Sequence, residues 1–286
     1  MNLTIQTATL DDLKIADTIT MEAFVSPSRY EALLQGLQLQ PDGWFLARLD
    51  GEPIGFGGAI NYGPFAYVGQ VGVVPSAQRR GIGQAIMEHT IAWLEGQCCP
   101  SILLDASASG VGLYRRLGFV EDDRVLRLSR EPAAYKAPTP VENVSLLQMA
   151  DLADLAAFDA PYFGAERSAV LASFLERFPR QALLTRNAAG QISGFLILQT
   201  SPVAQSLGPW VAESVAAAEC LLQRALELAD PALQVQVILA HANRDGQELL
   251  GRYGFSAYNE LHHMHLHSAA RRQRAHFYGQ ASMAFG

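Results

Sequence analysis

The chain has 286 residues, a formal net charge of −7 and an apolar share of 49%, enough for one large domain or two ordinary ones with full cores. Its acidity excludes an extended surface of clustered Lys and Arg for nucleic acid, although it mildly favours a cationic ligand. It has no apolar run of membrane-spanning length and no signal-peptide start, and its three cysteines (Cys98, Cys99 and Cys220) are an odd set without a disulfide framework. A cytoplasmic protein with reduced thiols, bound to neither membrane nor nucleic acid, is expected.

In chain order, residues 4–8 alternate like a strand and residues 11–24 carry helical spacing. Residues 43–49 and 54–60 read as a hairpin about Asp50-Gly51. A strand rich in β-branched residues follows at 67–74. In the helix predicted for 82–95, Ile82, Ala85, Ile86, His89 and Trp93 share a face. A short buried strand at 102–105, a short helix at 112–117 and a closing strand at 119–128 complete the half. This is an α+β arrangement around a mixed, mostly antiparallel sheet.

The pattern then recurs. Asp11 corresponds to Asp151, Gly55-Phe56 to Gly194-Phe195, and Gly118-Phe119 to Gly254-Phe255, with offsets that drift only from 140 to 136 in collinear order. Three prolines between residues 131 and 140 suit an extended linker. The expected organisation is a first domain at 1–131, a linker at 132–140 and a second domain at 141–286.

The chemistry concentrates in Val73-Val74-Pro75-Ser76-Ala77-Gln78-Arg79-Arg80-Gly81-Ile82-Gly83. A strand, a polar basic loop and a helix N-terminus in succession expose unpaired backbone N–H groups at the positive end of the helix dipole. Gly81 and Gly83 remove side chains that would block a phosphate, and Arg79 and Arg80 add positive charge. Together they form an anion cradle suited to a pyrophosphate.

Gln78-x-x-Gly81-x-Gly83, followed by Leu104-Asp105-Ala106-Ser107 and Leu113-Tyr114-Arg115-Arg116-Leu117-Gly118-Phe119, resembles the Gcn5-related N-acetyltransferase (GNAT) superfamily. The resemblance covers residues 1 to about 130, and the second half resembles a degenerate copy of the same domain. It implies an acetyl-CoA-dependent N-acetyltransferase acting on a primary amine of a small molecule through a ternary complex. In that reading Val71 and Val73 hold the pantetheine arm, and Gln78, Arg79, Arg80, Gly81, Ile82 and Gly83 hold the pyrophosphate. Ser107 stands where the family often has asparagine. Tyr114 protonates the leaving thiolate. Asp105 is the candidate base, with capping of the next turn as its alternative role, and Glu22 is a further candidate. Acetyl-CoA is the sole co-substrate implied, with no metal. The alternatives are transfer of a longer acyl group, or a non-catalytic acyl-CoA-binding sensor.

The second half has no Gly-rich basic loop after residues 206–212, and Leu250 stands opposite Tyr114, while Asn243 falls opposite Ser107. Its expected task is to complete an acceptor pocket shaped also by residues 23–30 and 61–67. His263, His265 and His267 would share one face of a strand, as metal ligands can. A half-exposed edge strand is the expectation for that segment.

Overall fold

The computed structural model describes residues 2–137 and 143–286, so residues 138–140 of the expected linker lie outside the described residues. The first half runs β1 (Leu3–Thr7), α1 (Leu13–Phe24), α2 (Tyr30–Leu39), β2 (Trp44–Leu49), β3 (Glu52–Asn61), β4 (Ala66–Val73), α3 (Ile82–Gly96), β5 (Ser101–Ala106), α4 (Val111–Arg116) and β6 (Val120–Arg130). The second runs β7 (Val144–Leu146), α5 (Leu152–Phe163), α6 (Ser168–Arg177), β8 (Ala182–Arg186), β9 (Ile192–Thr200), β10 (Gln205–Ala212), α7 (Val215–Leu228), β11 (Val235–Ala240), α8 (Arg244–Arg252), β12 (Ser256–His267) and β13 (Phe277–Gly279).

The duplication extends to local chemistry, with Asp12 rather than the expected Asp11 in the place of Asp151. The Asp12 carboxylate accepts from the Thr9 backbone N–H at 3.0 Å and pairs with Arg48 at 3.3 Å. The Asp151 carboxylate accepts from the Gln148 N–H at 2.9 Å and pairs with Arg186 at 2.7 Å. In both halves, therefore, one carboxylate satisfies a helix-start donor and clips it to the hairpin beside it.

The strands form one sheet in the order β1-β2-β3-β4-β5-β12-β6-β11-β10-β9-β8-β7, with β13 paired to β10. The two halves exchange their last long strand. β12 lies between β5 and β6, with His263 opposite Asp105 on one side and Leu261 opposite Val125 on the other. β6 in turn pairs with β11 of the second half. The expectation of a half-exposed edge strand at 262–267 is therefore corrected: this segment is central. Its alternating pattern reports the inner and outer faces of a strand, which an edge strand and a central one share.

One face of the sheet is covered by α1, α2, α5, α6 and residues 270–286, and its apolar core is shared by both halves. Trp44, Phe56 and Phe65 join Phe163, Phe174, Phe195, Phe277 and Phe285 there. Gln35 of α2 reaches across to α6, donating to Ser173 Oγ at 2.7 Å and accepting from Arg177 at 2.5 Å. On the other face there are two cores, each completed by the exchanged strand of the other half, Met264 in the first and Leu128 in the second. One lies under α3 and α4 around Met87, Leu104 and Phe119, the other under α7 and α8 around Trp210, Leu222 and Leu249.

Candidate active site

The site begins where two parallel strands part. β4 and β5 pair only at Ala66↔Ile102 and Tyr67↔Leu103, and beyond these residues the β4 edge has no β5 partner. On its other side, β4 places Gln70 and Val71 against the single residue Gly57 of β3, a bulge that bends the strand away. Gln70 adopts φ 59°, a left-handed conformation uncommon for a side-chain-bearing residue. At Gly57 a Cβ would meet Val71 Cα at 2.9 Å, so glycine is what lets the bulge close up.

A cavity of about 520 Å³ runs from this parting to the start of α3. Val71, Val73, Gln78, Arg79, Gly81, Ile82, Gly83, Ser107 and Tyr114 all line it. Gly81 sits at φ 80°, and a Cβ there would meet nothing within 4 Å, so it would project into open space at the helix start. A Cβ at Gly83 would make only ordinary contacts, 3.8 Å from Leu113 and Val73. Gln78 donates from its amide to the Val73 carbonyl at 3.0 Å, which ties the loop to the strand. The left-handed backbone at Arg79 (φ 59°) turns the loop there, and Arg80 is exposed and does not line this cavity. Arg116 of α4 also lines the cavity, a cation that the sequence reading did not single out.

A second cavity, of about 210 Å³, meets the first at Phe24, Val71, Ser107 and Tyr114. Its walls include Arg29, Gln70, Asp105 and Arg127 from the first half, and Asn259, Leu261 and Met283 from the second. Of the segments expected to shape an acceptor pocket, residues 23–30 contribute Phe24 and Arg29. Residues 61–67 do not line it. There Tyr62 and Phe65 pack on Phe163, with ring centroids 4.9 and 5.2 Å away.

Tyr114 stands at the junction. Its ring lies edge-on to Phe119, with centroids 5.9 Å apart. Burial pushes its phenol up to about 12, so the group stays protonated through the neutral range. Ser107 Oγ accepts from the Gly110 N–H at 3.2 Å and so caps the turn into α4. The capping role weighed for Asp105 belongs to Ser107.

The Asp105 side chain is fully buried (0% exposed) and accepts from the Tyr67 hydroxyl and from His263 Nδ1, the latter at 2.7 Å. Burial acts to raise its pKa, but His263, Arg274 and Tyr67 outweigh that and hold it below the usual carboxylate range. Burial, reinforced by Arg274, pushes the His263 imidazole down, so the neutral ring donates to a carboxylate. The other histidines of β12 take separate partners: His262 on Glu121 at 2.9 Å, His265 on Asp122 at 3.2 Å and His267 on Glu95 at 3.3 Å. Among the described residues no three His, Cys, Asp or Glu side chains gather as metal ligands. Glu22 lines a separate hollow beside Lys14 and Ser76, away from Tyr114.

The second half repeats the parting and fills it. β10 and β11 pair in parallel only from Gln205↔Val235 to Leu207↔Val237. Beyond this, β13 pairs with β10 at Trp210↔Gly279 and Val211↔Phe277, and the Gln280 N–H donates to the Ile238 carbonyl at 2.9 Å. The helix start facing this gap is capped: Ser214 Oγ accepts from the Ala217 N–H at 3.2 Å. Leu250, opposite Tyr114, is wholly buried.

Comparisons with known proteins show the family. Residues 11–119 match the model of the Acetyltransferase (GNAT) family and residues 155–279 that of an Acetyltransferase (GNAT) domain, together more than half of the chain. Serotonin N-acetyltransferase 2, chloroplastic, of Oryza sativa subsp. japonica is 38% identical over 96 residues, a match spanning 33% of this chain and 46% of that protein. The uncharacterized N-acetyltransferase YitH of Bacillus subtilis (strain 168) is 25% identical over 239 residues, 83% of each chain. A crystal structure from Pyrococcus horikoshii, whose own assignment as an acetyltransferase is provisional, superposes with a TM-score of 0.84 at 29% identity, covering 99% of this chain and 96% of that one. The chain belongs to the GNAT family, with two GNAT domains in tandem.

Proposed function

We propose that the protein transfers an acetyl group from acetyl-CoA to the primary amine of a small molecule, in a ternary complex formed at the first-half cleft. The observation that carries this reading is the pair of cavities meeting at Tyr114, one edged by a free strand and an open helix N-terminus, the other by side chains from both halves. The first suits a long substrate with an anionic end, because the α3 start offers N–H groups and Arg79 and Arg116 stand beside it. The free edge at Val71 and Val73 suits the amide-bearing pantetheine arm.

In this reading the amine nitrogen attacks the thioester carbonyl carbon from the smaller cavity, and the carbon–sulfur bond breaks. Tyr114 gives its proton to the departing thiolate and regains one when the amine nitrogen sheds its own. Asp105, the candidate base, has both oxygens hydrogen-bonded and a lowered pKa. We assign it to positioning: it fixes Tyr67 and the β5–β12 seam. The second half acts on the acceptor side, through Asn259, Leu261 and Met283. The small-molecule acceptor and the cytoplasmic setting belong to the same proposal.

The test is CoA release from acetyl-CoA across a panel of amines, with calorimetry for acetyl-CoA binding. Amine-dependent release of one CoA per acetylated product is expected. Tight binding without turnover on any amine would favour a sensor instead.

A further inference from the structure

The smaller cavity carries two guanidiniums and no carboxylate free to meet them. Arg29 donates through Nε to Ser26 Oγ at 3.1 Å and through Nη1 to Gln70 Oε1 at 3.3 Å, and lies 4.7 Å over the Phe24 ring. Arg127 lies 5.0 Å over the Tyr258 ring. Neither arginine forms an ion pair with an acidic side chain among the described residues. The acidic groups nearby are occupied. Asp17 uses its two oxygens on the Arg29 N–H and the Ser28 hydroxyl, both at 2.7 Å. Asp105 is held by Tyr67 and His263.

From this geometry, and resting on the transferase reading above, we infer that the acceptor is a small anionic amine whose carboxylate or phosphate is held by Arg29 and Arg127 while its amino group points toward the Tyr114 junction. The whole chain is acidic, but the wall it presents here is cationic, which reverses the ligand charge that the net charge suggests. Two half-buried guanidiniums facing one small space are costly unless an anion joins them, and the planar fork of arginine suits carboxylate and phosphate oxygens. Burial lowers the Arg29 pKa and Arg127 lowers it further, against the pull of Asp17, so the two guanidiniums repel each other. The cavity is small, about 210 Å³. The same cations disfavour an ammonium group nearby. They would therefore supply part of the free amine that the reaction needs, without a dedicated base.

The experiment compares amino acids with their amides and decarboxylated amines, and O-phosphoethanolamine with ethanolamine. Its readouts are kcat/KM from CoA release and calorimetric binding to the CoA-loaded protein. At least a tenfold preference for the anionic member of each pair is expected from whichever arm matches the true anion. Arg127→Met and Arg29→Met should each raise KM for that amine at least tenfold, with acetyl-CoA affinity within twofold of wild type. Arg127→Lys should recover part of the loss. Equal or inverted preference in both arms overturns the inference, as does a preference undiminished in both Met variants, or no anionic amine binding more tightly than about 1 mM. Acetyl-CoA binding to the wild type is measured separately. Its failure would remove the transferase reading itself, whereas its success with uncharged acceptors would remove only this inference.

Discussion

The molecule contains the same cleft twice, and the contrast between them separates scaffold from chemistry. In the first half, β4 and β5 part and leave a groove, a bare helix start and a tyrosine at the junction. In the second, β10 and β11 part to a similar extent, yet β13 takes the free edge, Ser214 caps the helix and a buried leucine replaces the tyrosine. The fold therefore creates the opening in either copy. Whether it serves a ligand is decided by what fills it.

The contrast is broken most directly at Gly83. Gly81 is the poorer probe, because its φ of 80° would strain any replacement regardless of ligand. Gly83→Leu puts bulk into the groove from an unstrained helical position. Acetyl-CoA binding, expected once per chain, should weaken by at least 100-fold, or about 2.7 kcal/mol. A calorimetric event of wild-type affinity in this variant would show that the filled cleft binds too, or that the groove is not the site.

Next in size is Tyr114→Phe. A general acid contributes about 10²–10⁴ in rate, so kcat should fall by that factor with acetyl-CoA affinity unchanged. The pH profile sharpens the assignment. The active form is the protonated phenol, whose folded pKa of about 12 exceeds the ordinary value, so wild-type kcat should hold past pH 10 and fall only as pH approaches 12. The sign for stability is the same: this group's contribution is complete below about pH 10 and is lost as pH rises through the folded value. A break in kcat near pH 10 that is absent from the Phe variant would show an ordinary, solvated phenol.

The matched caps offer a smaller comparison. Asn243 repeats the Ser107 bond one copy later, its Oδ1 accepting from the Gly246 N–H at 2.7 Å, and its Nδ2 also donates to the Phe277 carbonyl at 2.9 Å. Asn243→Ala removes a buried cap and unties β13, and should cost about 2–3 kcal/mol by denaturant melting. Ser107→Ala, at an exposed cap, should cost about 0.5–1 kcal/mol. Equal costs would mean that Asn243 does not hold the filling strand in place.

Much of this was legible in the sequence because local rules govern it. The hairpin at Asp50-Gly51, the strand–loop–helix around Gly81 and the collinear Gly-Phe pairs are each specified within a few residues. The neighbours of β12 were not legible, since alternation reveals which face a residue takes and nothing about what lies on either side. Nor was the filling of the second cleft. The brief Phe277-Tyr278-Gly279 run is apolar without being periodic, and its partner lies far back in the chain. Arg127 escaped notice for a related reason: it sits in a strand whose role near the site depends on β12 arriving from the other copy. Asp105 was visible as a residue near the centre, but its engagement by Tyr67 and His263 is a long-range fact.

The traded strands have an evolutionary consequence. A copy that loses its chemistry is ordinarily free to drift or to be deleted. Here deletion of the second copy would strip β12 from between β5 and β6 and open a seam through the first half, while deletion of the first would leave β11 without β6. The shared sheet thereby ties the second copy to the first, whatever its own cleft does.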